Sequence, residues 1–505
     1  MSMSPMELSV VIAYALLLSV LSVYGGHRYY MVYLYYRHKY RLPTAPRRFD
    51  ESELPRITVQ LPIFNEMYVI ERLVGAVARL RYPRHLLDVQ ILDDSTDETV
   101  AIARACAERF RADGLDIVHV HRTDRTGFKA GALENGLRTA KGELVAVFDA
   151  DFVPGSDFLD RTVHQFTDAG VGMVQTRWDH INADYSALTR VQSVLLDGHF
   201  VVEHTARNRS GRFFNFNGTA GIWRRQAIDD AGGWEHDTLT EDSDLSYRAQ
   251  VAGWHFVYLK DVVVPAELPV EMTAFKAQQH RWAKGLIQVA MKLLPRLMRA
   301  DLPAEIKKEA FFHLTSNVAF LLMIPLAILL PVTVVVRVSH GAMEVLLLDL
   351  PFFAAATFSV VFFYAVSQRE LGRRWWQWLP RMPFVLAVGI GLSINNARAV
   401  VEALMGYQTA FVRTPKLGVK APGESVGRKR YKAMVSLQPL VELAMACYMT
   451  YGVVYLIQRG VYYSLPFLLL FQFGFGYVAI LSIWEHTRGV LGRFVRVPQP
   501  APTVE

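Results

Sequence analysis

The chain has 505 residues, 52% apolar and 20% charged, with a mean hydropathy of +0.17. Average soluble domains carry about 25% charge, so this balance excludes a disordered chain and argues against a purely soluble one, while 54 Lys and Arg against 47 Asp and Glu, a net charge of +7, exclude a bare membrane bundle. Two cysteines, Cys106 and Cys447, exclude a disulfide framework or multi-cysteine zinc site and fit a reducing compartment.

Residues 9–25 are the first uncharged run; no Lys or Arg precedes them, and the basic cluster Arg28, Arg37, Lys39, Arg41, Arg47 and Arg48 follows. A signal peptide has a basic start and a small-residue cleavage site. The positive-inside rule instead predicts a membrane span with its N-terminus outside, and a basic, aromatic interfacial segment up to residue 49 on the cytoplasmic side.

Residues 50–300 have a soluble composition. RITVQLP, DVQILDD, LDIVHVH and ELVAVFDAD read as short strands, and NEMYVIERLVGAVARL and TDETVAIARACAERFRADG between them as helices. This alternation predicts a layered α/β domain with a mostly parallel sheet, which binds ligands beyond the carboxyl ends of its strands. The charged motifs sit at those ends. Asp93 and Asp94 close one strand, before a Ser95-Thr96-Asp97 turn that also reads as a plain helix cap. Asp149 and Asp151 close another; two carboxylates one residue apart suit Mg²⁺ or Mn²⁺ shared with a diphosphate. Thr240-Glu241-Asp242 reads either as an N-cap with acidic first-turn residues or as the seat of a general base. Gln278, Arg281 and Trp282 share a helix face at i, i+3 and i+4. That face suits a diphosphate and a sugar ring, or simply a membrane interface.

Beyond residue 300, spans are expected at about 310–336, 348–368, 434–458 and 460–484. The stretch 383–407 carries Asn395, Asn396, Arg398 and Glu402, and if it crossed, the basic segment 413–432 would fall outside. It is therefore expected to lie in the cytoplasmic interface, giving five spans.

Singly, each motif has an ordinary structural reading. Together, LPIFNE (61–66), ILDDSTD (91–97), RTGFKAGALENGL (125–137), FDADF (148–152), FNGTAGIWRR (216–225), TED (240–242) and QQHRW (278–282) resemble the processive family 2 glycosyltransferases of the cellulose synthase superfamily, in particular cellulose synthase-like β-mannan, glucomannan and glucan synthases. The resemblance implies a GT-A catalytic domain set in a helical membrane region. It places Glu66, Asp93, Asp94, Lys129 and Asp149 on a nucleotide-diphosphate sugar, and Asp149 and Asp151 on the metal. Asp242 becomes the general base, with Glu241, Gln278, Arg281 and Trp282 around the acceptor. Phe411-Val412-Arg413-Thr414-Pro415-Lys416 is similar to the family's F-x-V-T-x-K gating loop (411–433 here), keeping Phe411, Thr414 and Lys416 but carrying Arg413 in place of Val.

The implied activity is inverting polymerisation of UDP-glucose or GDP-mannose into a β-linked polysaccharide, with β-1,4 linkage expected, that is moved across the bilayer, with room for accessory export subunits. Transfer of one sugar to a lipid carrier, or another β-glycan synthase of chitin or hyaluronan type, remains the alternative. Lys and Arg concentrate at membrane flanks, so no nucleic-acid partner is expected. Length and plain termini suggest a bacterial inner-membrane protein with its catalytic domain in the cytoplasm.

Overall fold

A computed structural model describes residues 3–340, 351–352, 354–409, 414, 416–419, 424, 436–462 and 464–494. Its first helix, Pro5–His38, starts at a capping box: Ser4 Oγ accepts the Glu7 N–H, and the Ser4 N–H donates to the Glu7 carboxylate. At 34 residues it is about 51 Å long, well beyond the apolar run 9–25. The aromatic band is its continuation, and Tyr35 there donates to Glu370 at 2.6 Å. Leu8, Ile12, Leu16 and Val20 are exposed, whereas Tyr14 and Leu18 are buried among apolar residues of the later helices.

Residues 50–300 fold around one seven-stranded sheet: β1 (Ile57–Ile63), β2 (Leu87–Asp93), β3 (Asp116–His121), β4 (Leu144–Val147), β5 (Val171–His180), β6 (Gly221–Arg224) and β7 (His255–Ala266), in the order β3-β2-β1-β4-β6-β5-β7. β3, β2, β1 and β4 run parallel, β6 is antiparallel to both neighbours, and β7 is parallel to β5. This is the mixed, mostly parallel sheet expected. Every residue of β1, β2 and β4 is buried, as in sheets covered on both faces. β4 divides by alternation: Leu144 and Ala146 join the core under helices Ile70–Val77 and Thr99–Ala112, while Val145 and Val147 join the core under Phe128–Leu137. Because Gly221 pairs with Val147, the antiparallel β6 carries the FNGTAG segment to the carboxyl edge of β4.

The helix Met272–Arg299 bears the QQHRW motif. Glu485 from the last helix caps it, its two oxygens accepting the N–H groups of Met272 and Thr273 at 2.6 and 2.9 Å. The apolar run 310–336 is divided. Residues 310–315 end a helix, Ala304–Thr315, that faces the α/β domain, where His313 Nδ1 lies 2.8 Å from the Tyr247 hydroxyl; a separate helix covers Val318–Ser339. Among the described residues, five helical stretches are long and apolar enough to cross a membrane: Pro5–His38, Val318–Ser339, Trp375–Leu404, Gln438–Gln458 and Leu465–Arg488. The third overlaps the segment expected in the interface, and 67% of its most apolar part is buried, against 11–33% in the others. The run 354–370 packs along the first helix.

Candidate active site

β1, β2 and β4 end at one edge of the sheet, and a cleft opens there. After β1, Asn65 takes a left-handed conformation (φ 54°), which Asn tolerates. Its N–H donates to Ser95 Oγ at 2.8 Å, and its Oδ1 accepts the Thr96 N–H at 2.8 Å. The turn after β1 is thus tied to the turn after β2, and Glu66 and Asp94 both line the cleft. Arg122 grips Asp94 with two bonds, of 2.8 and 2.6 Å. Asp93, expected beside Asp94 on the nucleotide, is fully buried and turned away: it accepts the Ser95 N–H at 2.8 Å, and its other oxygen lies 2.8 Å from His119 Nε2. It is a strand residue whose side chain points opposite to its neighbour's.

Asp149 and Asp151, after β4, face the cleft together. Each holds an ammonium: Lys129 Nζ is 2.5 Å from Asp149, and Lys416 Nζ is 2.6 Å from Asp151. Lys129 also donates to the Gly218 carbonyl at 2.8 Å. Burial opposes its charge, but Asp149, Glu241 and Asp242 outweigh burial and raise its pKa. Thr219 Oγ1 accepts the Asp149 N–H at 2.8 Å.

Asp242 stands in the first turn of helix Glu241–Val251. Thr240 precedes the helix, but its hydroxyl makes no capping bond, because it packs against Gly285 of the QQHRW helix. Burial, and then the adjacent Glu241 carboxylate, push Asp242 up to about 7, with Lys129 acting in the opposite direction. Burial also raises Glu241. Gly218 lies against Asp242 at φ +79°: a Cβ there would stand 3.0 Å from Asp242 Oδ2 and 3.3 Å from Lys129 Nζ.

Gln278, Arg281 and Trp282 all line the cleft, as their spacing predicts. The opposite face of their helix is clamped to other helices, by Lys276 to Glu442 at 2.6 Å, His280 to Glu402 at 3.2 Å and Lys284 to Glu402 at 3.1 Å. Thr414 and Lys416 are buried at the cleft. The Lys416 ammonium reaches the Glu267 carbonyl at 3.1 Å, and the Leu417 N–H donates to the Glu267 carboxylate at 2.8 Å. Phe411 and Arg413 lie outside the described residues.

Several cleft residues carry no role that the sequence assigns, although Phe64, Arg125 and Asn217 lie within the quoted motifs. Arg125 stacks on Phe64, 3.4 Å from the ring centroid, and Glu267 and Asn217 come from the end of β7 and the turn before β6. Glu235, Asp237 and Asp244 form the one three-carboxylate cluster of metal-binding compactness among the described residues. It is held by Lys292, which lies 2.8 Å from Asp237 and 3.0 Å from Asp244 and also pairs with Glu235.

A family profile described as "Glycosyltransferase like family 2" matches residues 55–285. The chain is 39% identical over 306 residues to "Glucomannan 4-beta-mannosyltransferase 1" of Oryza sativa subsp. japonica, covering 57% of this chain and 59% of that protein. It is 32% identical over 469 residues to "Glucomannan 4-beta-mannosyltransferase 1" of Cyamopsis tetragonoloba, covering 88% and 86%. It is 32% identical over 459 residues to "Probable glucomannan 4-beta-mannosyltransferase 9" of Oryza sativa subsp. japonica, covering 85% and 83%. The matched stretch thus takes in between half and most of these relatives' lengths. Among solved structures, "Mannosyltransferase PcManGT from Pyrobaculum calidifontis in complex with GDP-Man and Mn2+" aligns with a TM-score of 0.51 at 22% identity, over 78% of this chain and all of that one. That likeness concerns the fold, the expected GT-A arrangement.

Proposed function

The chain belongs to the family 2 glycosyltransferases of the cellulose synthase superfamily, and from that premise we propose that it is an inverting, multi-pass membrane mannosyltransferase. It builds a β-1,4-linked polysaccharide from GDP-mannose and passes it through its membrane helices. The observation that carries this reading is the convergence of Asp149, Asp151, Asp242, Arg281 and Trp282 on one cleft. The mannosyl donor, preferred over UDP-glucose, follows from the names of the relatives. These relatives are plant proteins, so they support a multi-pass membrane protein but not the bacterial inner membrane in particular.

Asp149 and Asp151 are hard oxygen donors in a cleft that also holds Lys129 and Arg281, a donor set that fits Mg²⁺ or Mn²⁺ with a diphosphate. When bound, the ion supplies positive charge to the departing diphosphate. Lys129 and Arg281 stabilise the same developing charge. Asp242 removes the proton of the acceptor hydroxyl as that oxygen forms its bond to the sugar C1, and the C1–O bond to the diphosphate breaks on the opposite face. An α-linked donor then yields a β-linked product. Trp282 supplies a flat surface for the acceptor ring, and Gln278 a hydrogen-bonding amide beside it. Thr414 and Lys416 belong to the segment that closes the cleft beside Asp151.

The test is incubation of the purified full-length protein in detergent with Mg²⁺ or Mn²⁺ and radiolabelled GDP-mannose or UDP-glucose, followed by endo-β-1,4-mannanase digestion. A high-molecular-weight, mannanase-sensitive product from GDP-mannose is expected. A single labelled glycolipid, or polymer from UDP-glucose alone, would overturn the reading.

A further inference from the structure

Behind the cleft wall, the helix Ala187–Asp197 passes into a π-helical segment, Gly198–His204. Such segments are rare and concentrate at functional sites. The added residue per turn here turns both His199 and His204 toward one side chain, Asn217. The Asn217 Nδ2 lies 2.9 Å from His199 Nε2, and the Asn217 Oδ1 bonds His204 Nε2. These roles determine the protons. An amide nitrogen only donates and an amide oxygen only accepts. His199 therefore accepts at Nε2 and carries its proton on Nδ1, where it meets the Glu203 carboxylate at 2.9 Å. His204 carries its proton on Nε2, and its buried Nδ1 has no partner. Each donor in the chain faces an acceptor, so the Asn217 amide is held in one orientation from both ends.

Glu203 is anchored in turn. Arg207 bonds Glu203 at 3.4 Å and Glu309 at 2.9 Å, and Glu309 lies 2.9 Å from His27 on the N-terminal helix. On the other side, Asn217 begins the turn that meets the reacting groups. The Gly218 carbonyl accepts Lys129, Gly218 packs on Asp242, and Thr219 accepts the Asp149 N–H.

We propose that His199 and His204 are positioning residues: they clamp Asn217, and through the 217–219 turn they set the places of Lys129, Asp149 and Asp242, with Glu203, Arg207 and Glu309 tying the clamp to the first membrane helix. The proposal rests on reading those three residues as the reacting site. Its test compares His199→Leu and His204→Leu, which lose the polar contact, with His199→Gln and His204→Gln, which can restore an acceptor or a donor near the same place. In the full-length protein, both Leu variants are expected to lose at least tenfold in turnover. GDP affinity by calorimetry, which reads Lys129 and Asp149, falls more than threefold, and amide hydrogen exchange at 217–219 rises at least tenfold. The Gln variants stay within threefold of the parent in all three. Leu variants with unchanged turnover and exchange would overturn the proposal, and so would Gln variants as impaired as Leu. Should a Leu variant not fold, Asn217→Ala decides: it keeps both histidines, and wild-type turnover in it overturns the clamp. Exchange needs no sugar donor, so an inactive parent with GDP-mannose would refute the activity reading while leaving the clamp to be judged by exchange.

Discussion

At the scale of single residues, Asp242 and Gly218 carry the sharpest consequences. Asp242 can take a proton only as a carboxylate, and burial with Glu241 beside it raises its pKa to about 7. Lowering the pH through 7 protonates it, so transfer should fall by about tenfold per unit on the acid side and level off above 7. Asp242→Asn should abolish transfer, leave GDP binding intact and remove that acid limb from any residual rate; unchanged polymer synthesis would refute the base. Gly218→Ala places a methyl 3.0 Å from Asp242 Oδ2 in a φ +79° conformation. The backbone strain alone costs about 1–2 kcal/mol, and relief comes only by moving Asp242 or Lys129. A drop in melting temperature together with loss of most transfer is expected. The carboxylates of this site were legible in the sequence because each follows directly on a hydrophobic strand or opens a helix. Asp93 was misread because two adjacent acids look alike in a string, although a strand points them to opposite sides.

Among the elements, the QQHRW helix shows what periodicity reveals and what it hides. Spacing alone put Gln278, Arg281 and Trp282 on one face. The other face, Lys276, His280 and Lys284, meets Glu442 and Glu402 more than a hundred residues away, and no local pattern names such partners. The same holds for Arg207 with Glu309, and for Thr240, whose capping role is lost to a helix arriving from later in the chain. Lys276 and Glu442 are both buried at 2.6 Å. Lys276→Met therefore leaves a buried carboxylate uncompensated, a loss of about 3–5 kcal/mol. Lys276→Met/Glu442→Leu should recover much of it, because two apolar side chains replace the pair. Thermal unfolding in detergent reads both; a double variant no more stable than the single would show that the pair does more than balance charge.

For the whole molecule, the contacts at the catalytic face constrain how often the chain can cross a membrane. Glu309 bonds Arg207 of the catalytic domain, so the chain starts on that side before Val318–Ser339. Arg373 donates to Asp197 at 2.7 Å, and Tyr35 and Lys39 hold Glu370, which brings residues 370–373 back to the catalytic side. Lys416 reaches Asp151, which is on that side too. Between residues 373 and 416 the number of crossings must then be even, and a single stretch, 375–404, is available. It should lie in the interface despite its length, with its apolar surface covered by protein. Glu485 at the start of the QQHRW helix returns the last helix to the same side, so five crossings are expected. In a variant with Cys106 and Cys447 replaced by Ser, Arg374→Cys and Glu424→Cys should both be shielded from an impermeant maleimide in intact cells and labelled in inside-out vesicles. Arg459→Cys, between the last two helices, should show the reverse. Labelling of positions 374 and 424 from opposite sides would mean that 375–404 crosses, and would be incompatible with Lys416 meeting Asp151.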